Sequence, residues 1–222
     1  MPLEAIIFDM DGVLVDSEVY WWQSRVDFAH ALNKVWTPDD QRHAMGRNTV
    51  EWGHVMQEIL QLDDWTVDEI TADVKRRVIE RLRTHLPILP NAIEAVQIAA
   101  SHTRVALASG SPTEVIQTVM SLTGLDQVFE TLVFGDTIAN GKPAPDIYLE
   151  ATRRLGVDPR ACLGIEDSGN GLKSLKAAGM IALAVPSPEF PLPPEILALA
   201  DLKMNSLTEF TPAFLDAYSA SL

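Results

Sequence analysis

LEAIIFDMDGVLVDSE, residues 3–18, is the stretch on which the fold turns. The apolar run Leu3–Phe8 has the length and continuity of a strand buried on both faces, and it ends abruptly in two aspartates, Asp9 and Asp11. Extended backbone puts residues two apart on one side, roughly 6–7 Å from each other along the chain, so both carboxylates can serve one small ligand. Buried strands of this kind build open parallel sheets, whose ligands bind beyond the carboxyl ends of the strands.

Five further runs suit the same reading: Val105–Ala108, Thr131–Phe134, Ala161–Ile165, Ile181–Val185 and the less distinct Leu202–Met204. Helical patterns separate most of them. Ser111, Pro112 and Glu114 combine an N-cap, a first-turn proline and a capping-box acid, and Asp158-Pro159 repeats the cap-and-proline signal. Gly156 and Gly179 sit where helices should end, and the proline cluster from 186 to 194 reads as a loop closing where PPEILALA opens a helix. This alternation predicts an α/β fold, a doubly wound parallel sheet with a Rossmann-like core.

The alternation lapses once, for about seventy residues between the first and second runs, where no strand pattern occurs. Thr37-Pro38-Asp39-Asp40 and the Thr66/Glu69 capping box mark helix starts there. Val67, Ile70, Val74, Val78 and Leu82 then recur at helical spacing, with Lys75, Arg76, Arg77, Arg81 and Arg83 mostly on other faces. Residues 17–84 are therefore expected to form an inserted α-helical cap domain, packed by Trp21 and Trp22, and residues 1–16 and 85–222 the catalytic core.

A net charge of -14 leaves no basic field for a nucleic-acid backbone or an anionic membrane. The acidity is uneven: residues 17–84 carry twelve acids against nine bases, the remainder nineteen against eight. The single cysteine, Cys162, excludes an internal disulfide and a thiolate zinc site and reads as core. No run approaches the roughly 18 apolar residues of a membrane span, and the first residues lack the pattern of a targeting segment. A cytoplasmic monomer acting on a small metabolite is expected, without nucleic-acid or membrane partners.

Residues just beyond the strand ends supply the chemistry. Asp9 and Asp11 come after the first strand; Ser109 and Gly110, with backbone N–H groups before a helix, come after the second. Lys142 stands in the loop NGKPAPD after the third, and Glu166 with Asp167 ends the fourth. Clustered carboxylates call for a hard cation, and Mg²⁺ suits one or two carboxylates plus phosphate oxygens, so Asp9, Glu166 and Asp167 can hold it. With Mg²⁺ and Lys142 neutralising a phosphate, and Ser109 and the Gly110 N–H orienting it, Asp9 can attack phosphorus. Asp11 would protonate the leaving alcohol and then deprotonate the attacking water.

FDMDGVLVDSE, LASGSP, the lysine of GKPAPDIY and GIEDSGNG, with a helical insert after the first, resemble the haloacid dehalogenase-like phosphohydrolases over essentially the whole length. The likeness points to the branch of phosphosugar phosphatases and β-phosphoglucomutase. It implies Asp9 as phosphorylated nucleophile and Asp11 as acid/base, with the Asp11 main-chain carbonyl on Mg²⁺ as well. It also implies Asp167 and Glu166 completing the metal site, and Arg47, in MGRNTVEW, as a cap residue on the substrate. Where the mutases place a histidine after the first motif and a lysine after the second, this chain has Trp21 and Pro112. That favours a Mg²⁺-dependent phosphatase working through an aspartyl phosphate on a sugar-type phosphomonoester. The enzyme alternative is a hexose phosphomutase. A phospho-receiver module uses similar residues but would carry no helical insert and would place its phosphorylated acid on a middle strand.

Overall fold

Sixteen elements succeed one another along the described residues, 2–44, 48–188 and 191–221, of a computed structural model. β1 (Ala5–Phe8) leads into four helices, α1 (Glu18–Ala31), α2 (Pro38–Ala44), α3 (Thr49–Ile59) and α4 (Val67–Thr84). Then come α5 (Ala92–His102), β2 (Arg104–Ser109), α6 (Thr113–Thr123), β3 (Thr131–Phe134), α7 (Asp146–Leu155) and β4 (Cys162–Glu166). α8 (Gly169–Ala177), β5 (Ile181–Ala184), α9 (Pro194–Leu197), β6 (Leu202–Lys203) and α10 (Pro212–Ser221) complete the chain. All strand pairs are parallel, in the order β3-β2-β1-β4-β5-β6, the doubly wound topology that the alternation predicts.

The two faces of the sheet differ in side-chain size. Ile6, Phe8, Val105, Leu107, Leu163, Ile165 and Leu183 join one cluster with α5, α6 and the cap helices. Their neighbours Ala5, Ala106, Ala108, Cys162, Ala182 and Ala184 face the other way, under α7 and α8. Small residues there let α7 approach closely, and its Tyr148 is fully buried. Strand residues alternate between clusters because successive side chains point to opposite faces.

The helical cap is built as the spacing predicts. Ile70, Val74, Val78 and Leu82 of α4 are fully buried, and Thr66 exchanges capping-box bonds with Glu69. Trp21 packs edge-on against Trp52. α4 rests on α6 of the core, where Lys75 pairs with Glu114 at 3.2 Å.

Three local expectations are corrected. Strand ends shift by one or two residues, as at β1, which begins at Ala5 rather than Leu3. Asp158-Pro159 opens only a 3₁₀ turn, Pro159–Ala161, because β4 begins at the next residue. Ser111 is not the N-cap of α6: Pro112 occupies that position without a side-chain cap bond, and Asp136 accepts from the Thr113 N–H at 3.0 Å. That helix end is therefore already supplied with an anion.

Candidate active site

β1 and β4 are neighbours at the reversal of strand order, so the segments after them and after β2 converge on one crevice. Asp9 continues β1 by donating its N–H to the Ile165 carbonyl at 3.1 Å, which fixes its side chain beside the end of β4. The chain then turns tightly, the Met10 carbonyl accepting from Leu14 and Val15 at 2.8 and 3.1 Å. Met10, Val13, Leu14 and Val15 are buried, so the apolar residues after the acids anchor the loop. Gly12 has φ of +78°, and a Cβ there would lie 2.0 Å from Asp167 Oδ2. The missing side chain is what lets Asp167 approach the loop.

Lys142 binds two acids at once. Its Nζ is 3.0 Å from Asp9 Oδ1 and 2.6 Å from Glu166 Oε1. The first contact is a charge pairing without hydrogen-bond geometry, for Asp9 Oδ1 is buried and lacks a hydrogen-bond partner. Glu166 is fully buried and saturated, with Oε1 also accepting from the Tyr148 hydroxyl at 2.5 Å and Oε2 from Ser168 Oγ at 3.0 Å. A Cβ on Gly171 would fall 1.8 Å from the Glu166 carboxyl carbon, so that glycine lets α8 start against it. Oxygens of Asp9, Glu166 and Asp167 all lie within 4.8 Å of one another.

This crowding distorts protonation. Burial first, and then Glu166 and Asp11, push the Asp9 carboxyl up to about 8 despite the opposing pull of Lys142. Burial, Glu166 and Asp9 hold Asp167 well above the usual carboxylate range. Lys142 stays protonated, since its attraction to Asp9 and Glu166 outweighs the burial that would lower it. The excess negative charge, the all-oxygen donors and the Asp9 oxygen without a hydrogen-bond donor fit a hard dication.

Asp11 stands beside this cluster and is held by three serines. Ser17 Oγ donates to Oδ1, and Ser109 and Ser111 donate to Oδ2 at 3.1 and 2.8 Å. The hydroxyl read from sequence as a helix cap, Ser111, thus serves Asp11. Gly110 is exposed, with open space where a side chain would be. Asp9, Asp11, Ser109, Lys142, Glu166 and Asp167 therefore form one connected site with Gly110 in the adjoining loop, whereas Arg47 lies outside the described residues. Ser17, Ser111, Tyr148 and Ser168 are the contributors that sequence reasoning missed. Each stands inside a quoted motif, and tyrosine six residues after Lys142 was the available signal.

A fold of this order, with acids from two adjacent strand ends gathered round a buried lysine, defines a phosphoryl-handling class of α/β hydrolase. Residues 3–179 match the haloacid dehalogenase-like hydrolases, and the chain belongs to that family of enzymes. It is 34% identical over 217 residues to hexitol phosphatase B of Escherichia coli K12, covering 93% of this chain and 94% of that one. It is also 34% identical over 181 residues to a phosphorylated carbohydrates phosphatase of Thermotoga maritima, covering 80% and 82%. Among solved structures, β-phosphoglucomutase from Clostridium difficile superposes with a TM-score of 0.81 over 99% of this chain and 98% of that one. At 22% identity that likeness speaks for the fold alone. No helix among the described residues is long and apolar enough to cross a membrane.

Proposed function

We propose that this protein is a Mg²⁺-dependent phosphatase that hydrolyses small, sugar-type phosphomonoesters by way of a phosphoryl group carried on Asp9. The carrying observation is the placement of Asp9: buried beside Asp167 and Glu166, 3.0 Å from Lys142, at the reversal of strand order. On this reading residues 17–84 are the cap closing over a core of residues 1–16 and 85–222, and the enzyme works as a cytoplasmic monomer on phosphorylated metabolites.

Asp9, Asp167 and the Asp11 carbonyl would hold the cation, with Glu166 closing the cluster. The bound ion would supply positive charge to the phosphate oxygens and to Asp9. Lys142 adds a second fixed charge, oriented by Glu166 and Tyr148. Ser109 and the Gly110 N–H orient the phosphate. An Asp9 oxygen attacks phosphorus; the O–P bond to Asp9 forms as that to the leaving alcohol breaks, and Asp11 gives the alcohol its proton. Water then attacks the same phosphorus, Asp11 takes its proton back, and inorganic phosphate departs with Asp9 restored. Acid–base help of this kind contributes roughly 10²–10⁴-fold.

Hydrolysis is favoured over mutase turnover by what replaces the mutase side chains. Trp21 is buried against Trp52, and Pro112 offers no donor at the start of α6. A panel of phosphomonoesters with and without Mg²⁺, blanked with Asp9→Asn, tests the proposal. Free phosphate that depends on Mg²⁺ and exceeds the blank is expected. The second reading, a hexose phosphomutase, is kept by a 28% identity over 99% of this chain to a putative β-phosphoglucomutase of Thermotoga maritima. Glucose 6-phosphate forming faster than free phosphate from β-glucose 1-phosphate and a bisphosphate primer would establish it instead.

The raised carboxyls give a pH signature. An acid whose folded pKa is raised contributes stability at low pH that is lost as the pH climbs through the folded value. With Asp9 at about 8, the metal-free protein should lose stability from the ordinary carboxylate range up to about pH 8. Mg²⁺ competes with those protons, so the rise in Tm on replacing EDTA with Mg²⁺ should be larger near pH 8 than near pH 5. An equal increment at both would contradict this placement of the ion.

A further inference from the structure

The loop that follows β2 is gripped from outside by the turn that follows β3. Ser109 pairs in register with Phe134, so the two segments leave the sheet side by side. Beyond Phe134 comes the 3₁₀ turn Gly135–Thr137. The Gly135 N–H donates to the Ser111 carbonyl at 3.1 Å. Asp136 Oδ2 accepts from the Thr113 N–H at 3.0 Å, and Oδ1 accepts from the Thr113 hydroxyl at 2.6 Å. Gly135 also lies directly against the Gly110 peptide: a Cβ there would stand 2.1 Å from the Gly110 carbonyl oxygen and 2.4 Å from its carbon. Its φ is not in the left-handed region, so close approach rather than backbone freedom is what calls for glycine here.

Serine at a helix start ordinarily caps its own helix, about as well as Asp or Asn does. Here Ser111 Oγ donates to Asp11 at 2.8 Å, and Pro112, in the N-cap position, makes no side-chain cap bond. The bond to α6 comes instead from Asp136, 23 residues beyond Thr113. A local cap would satisfy the helix end equally well and hold nothing else in place. An acid brought from the end of β3 also fixes where the loop stands relative to the sheet. That loop carries the chemistry: Ser109 Oγ accepts from the Ser111 N–H at 3.1 Å and donates to Asp11 Oδ2 at 3.1 Å. A shift of residues 109–113 would therefore disturb the phosphate donors and Asp11 together.

We propose that Gly135 and Asp136 are positioning residues, which set the loop 109–113 so that Ser109 and the Gly110 N–H meet the phosphate while Ser109 and Ser111 hold Asp11. The inference rests on the phosphatase reading and adds two residues to it. In Gly135→Ala the Gly110 peptide has to retreat from the new methyl group. For a sugar phosphate kcat should fall at least about tenfold, and inorganic phosphate should inhibit at least about fivefold more weakly. Asp136→Ala should do the same, with Tm lowered by about 2–4 °C for the lost cap. Asp136→Asn should stay within about threefold of wild type in both quantities, because its amide oxygen can accept from the Thr113 N–H and its NH₂ can donate to the hydroxyl. The Mg²⁺ concentration giving half the maximal rise in Tm should be the same in all of them, since Asp9 and Asp167 follow β1 and β4 and stand outside this loop.

A lowered Tm with kcat and phosphate inhibition unchanged, equal losses in Asp136→Ala and Asp136→Asn, or a Mg²⁺ requirement that rises in step with the loss of kcat would overturn the proposal. If wild type hydrolyses the sugar phosphate above the Asp9→Asn blank and both alanine variants match it, this inference fails alone. If wild type hydrolyses no phosphomonoester, the phosphatase reading fails and takes the inference with it.

Discussion

Asp9→Asn is expected to abolish turnover of every phosphomonoester while the protein stays folded. An amide cannot supply the attacking oxygen, and two neighbouring carboxylates are otherwise engaged: Glu166 by Lys142, Tyr148 and Ser168, and Asp11 by three serines. The substitution is nearly isosteric, so the sheet should not register it. In the metal-free protein Tm should rise, because burial and the neighbouring Glu166 and Asp11 all oppose the Asp9 charge. Lys142 keeps its contact with Glu166 at 2.6 Å. Residual turnover above about one-hundredth of wild type would count against Asp9 as nucleophile.

Lys142→Met should have the second largest effect, and on two quantities. Removing one fixed charge from a phosphate site commonly costs about 10²–10³-fold in kcat, and a loss of that size is expected. Stability should fall as well, since Glu166 is fully buried and would lose its cation, a change that costs about 3–5 kcal/mol when one partner of a buried pair is removed. The double variant Lys142→Met with Glu166→Gln separates the two effects. Denaturant titration should show much of the stability restored, whereas kcat should stay low. Restoration of both would mean that Lys142 acts only by holding Glu166.

Much of this site could be read directly from the chain because backbone geometry places it. Strand ends in a parallel sheet meet in one crevice, so finding Asp9, Ser109 and Glu166 after apolar runs already implied that they meet. What could not be read are contacts made by side chains arriving from elsewhere. Ser111 looked like a cap because serine before a proline usually is one; Asp136, from beyond β3, supplies that bond and leaves Ser111 to Asp11. Tyr148 reaches Glu166 only because alanines on that sheet face let α7 lie close, a packing consequence that no local pattern carries. Arg25 shows the same limit: within α1 it reads as one more polar residue, yet it is buried, with its guanidinium against Trp21 of its own helix and Trp52 of α3.

The proposed chemistry stands or falls with passage of the phosphoryl group through Asp9. Asp11→Asn retains the nucleophile and slows attack by water, so an aryl phosphate, whose leaving group needs little protonation, should load the enzyme faster than it unloads. Acid-quenched protein, digested and weighed by mass spectrometry, is expected to carry one phosphoryl group on the peptide containing Asp9, and none when Asp9→Asn is added. Phosphate released by Asp11→Asn with no phosphorylated peptide at any time, or with the group on another residue, would contradict a covalent role for Asp9.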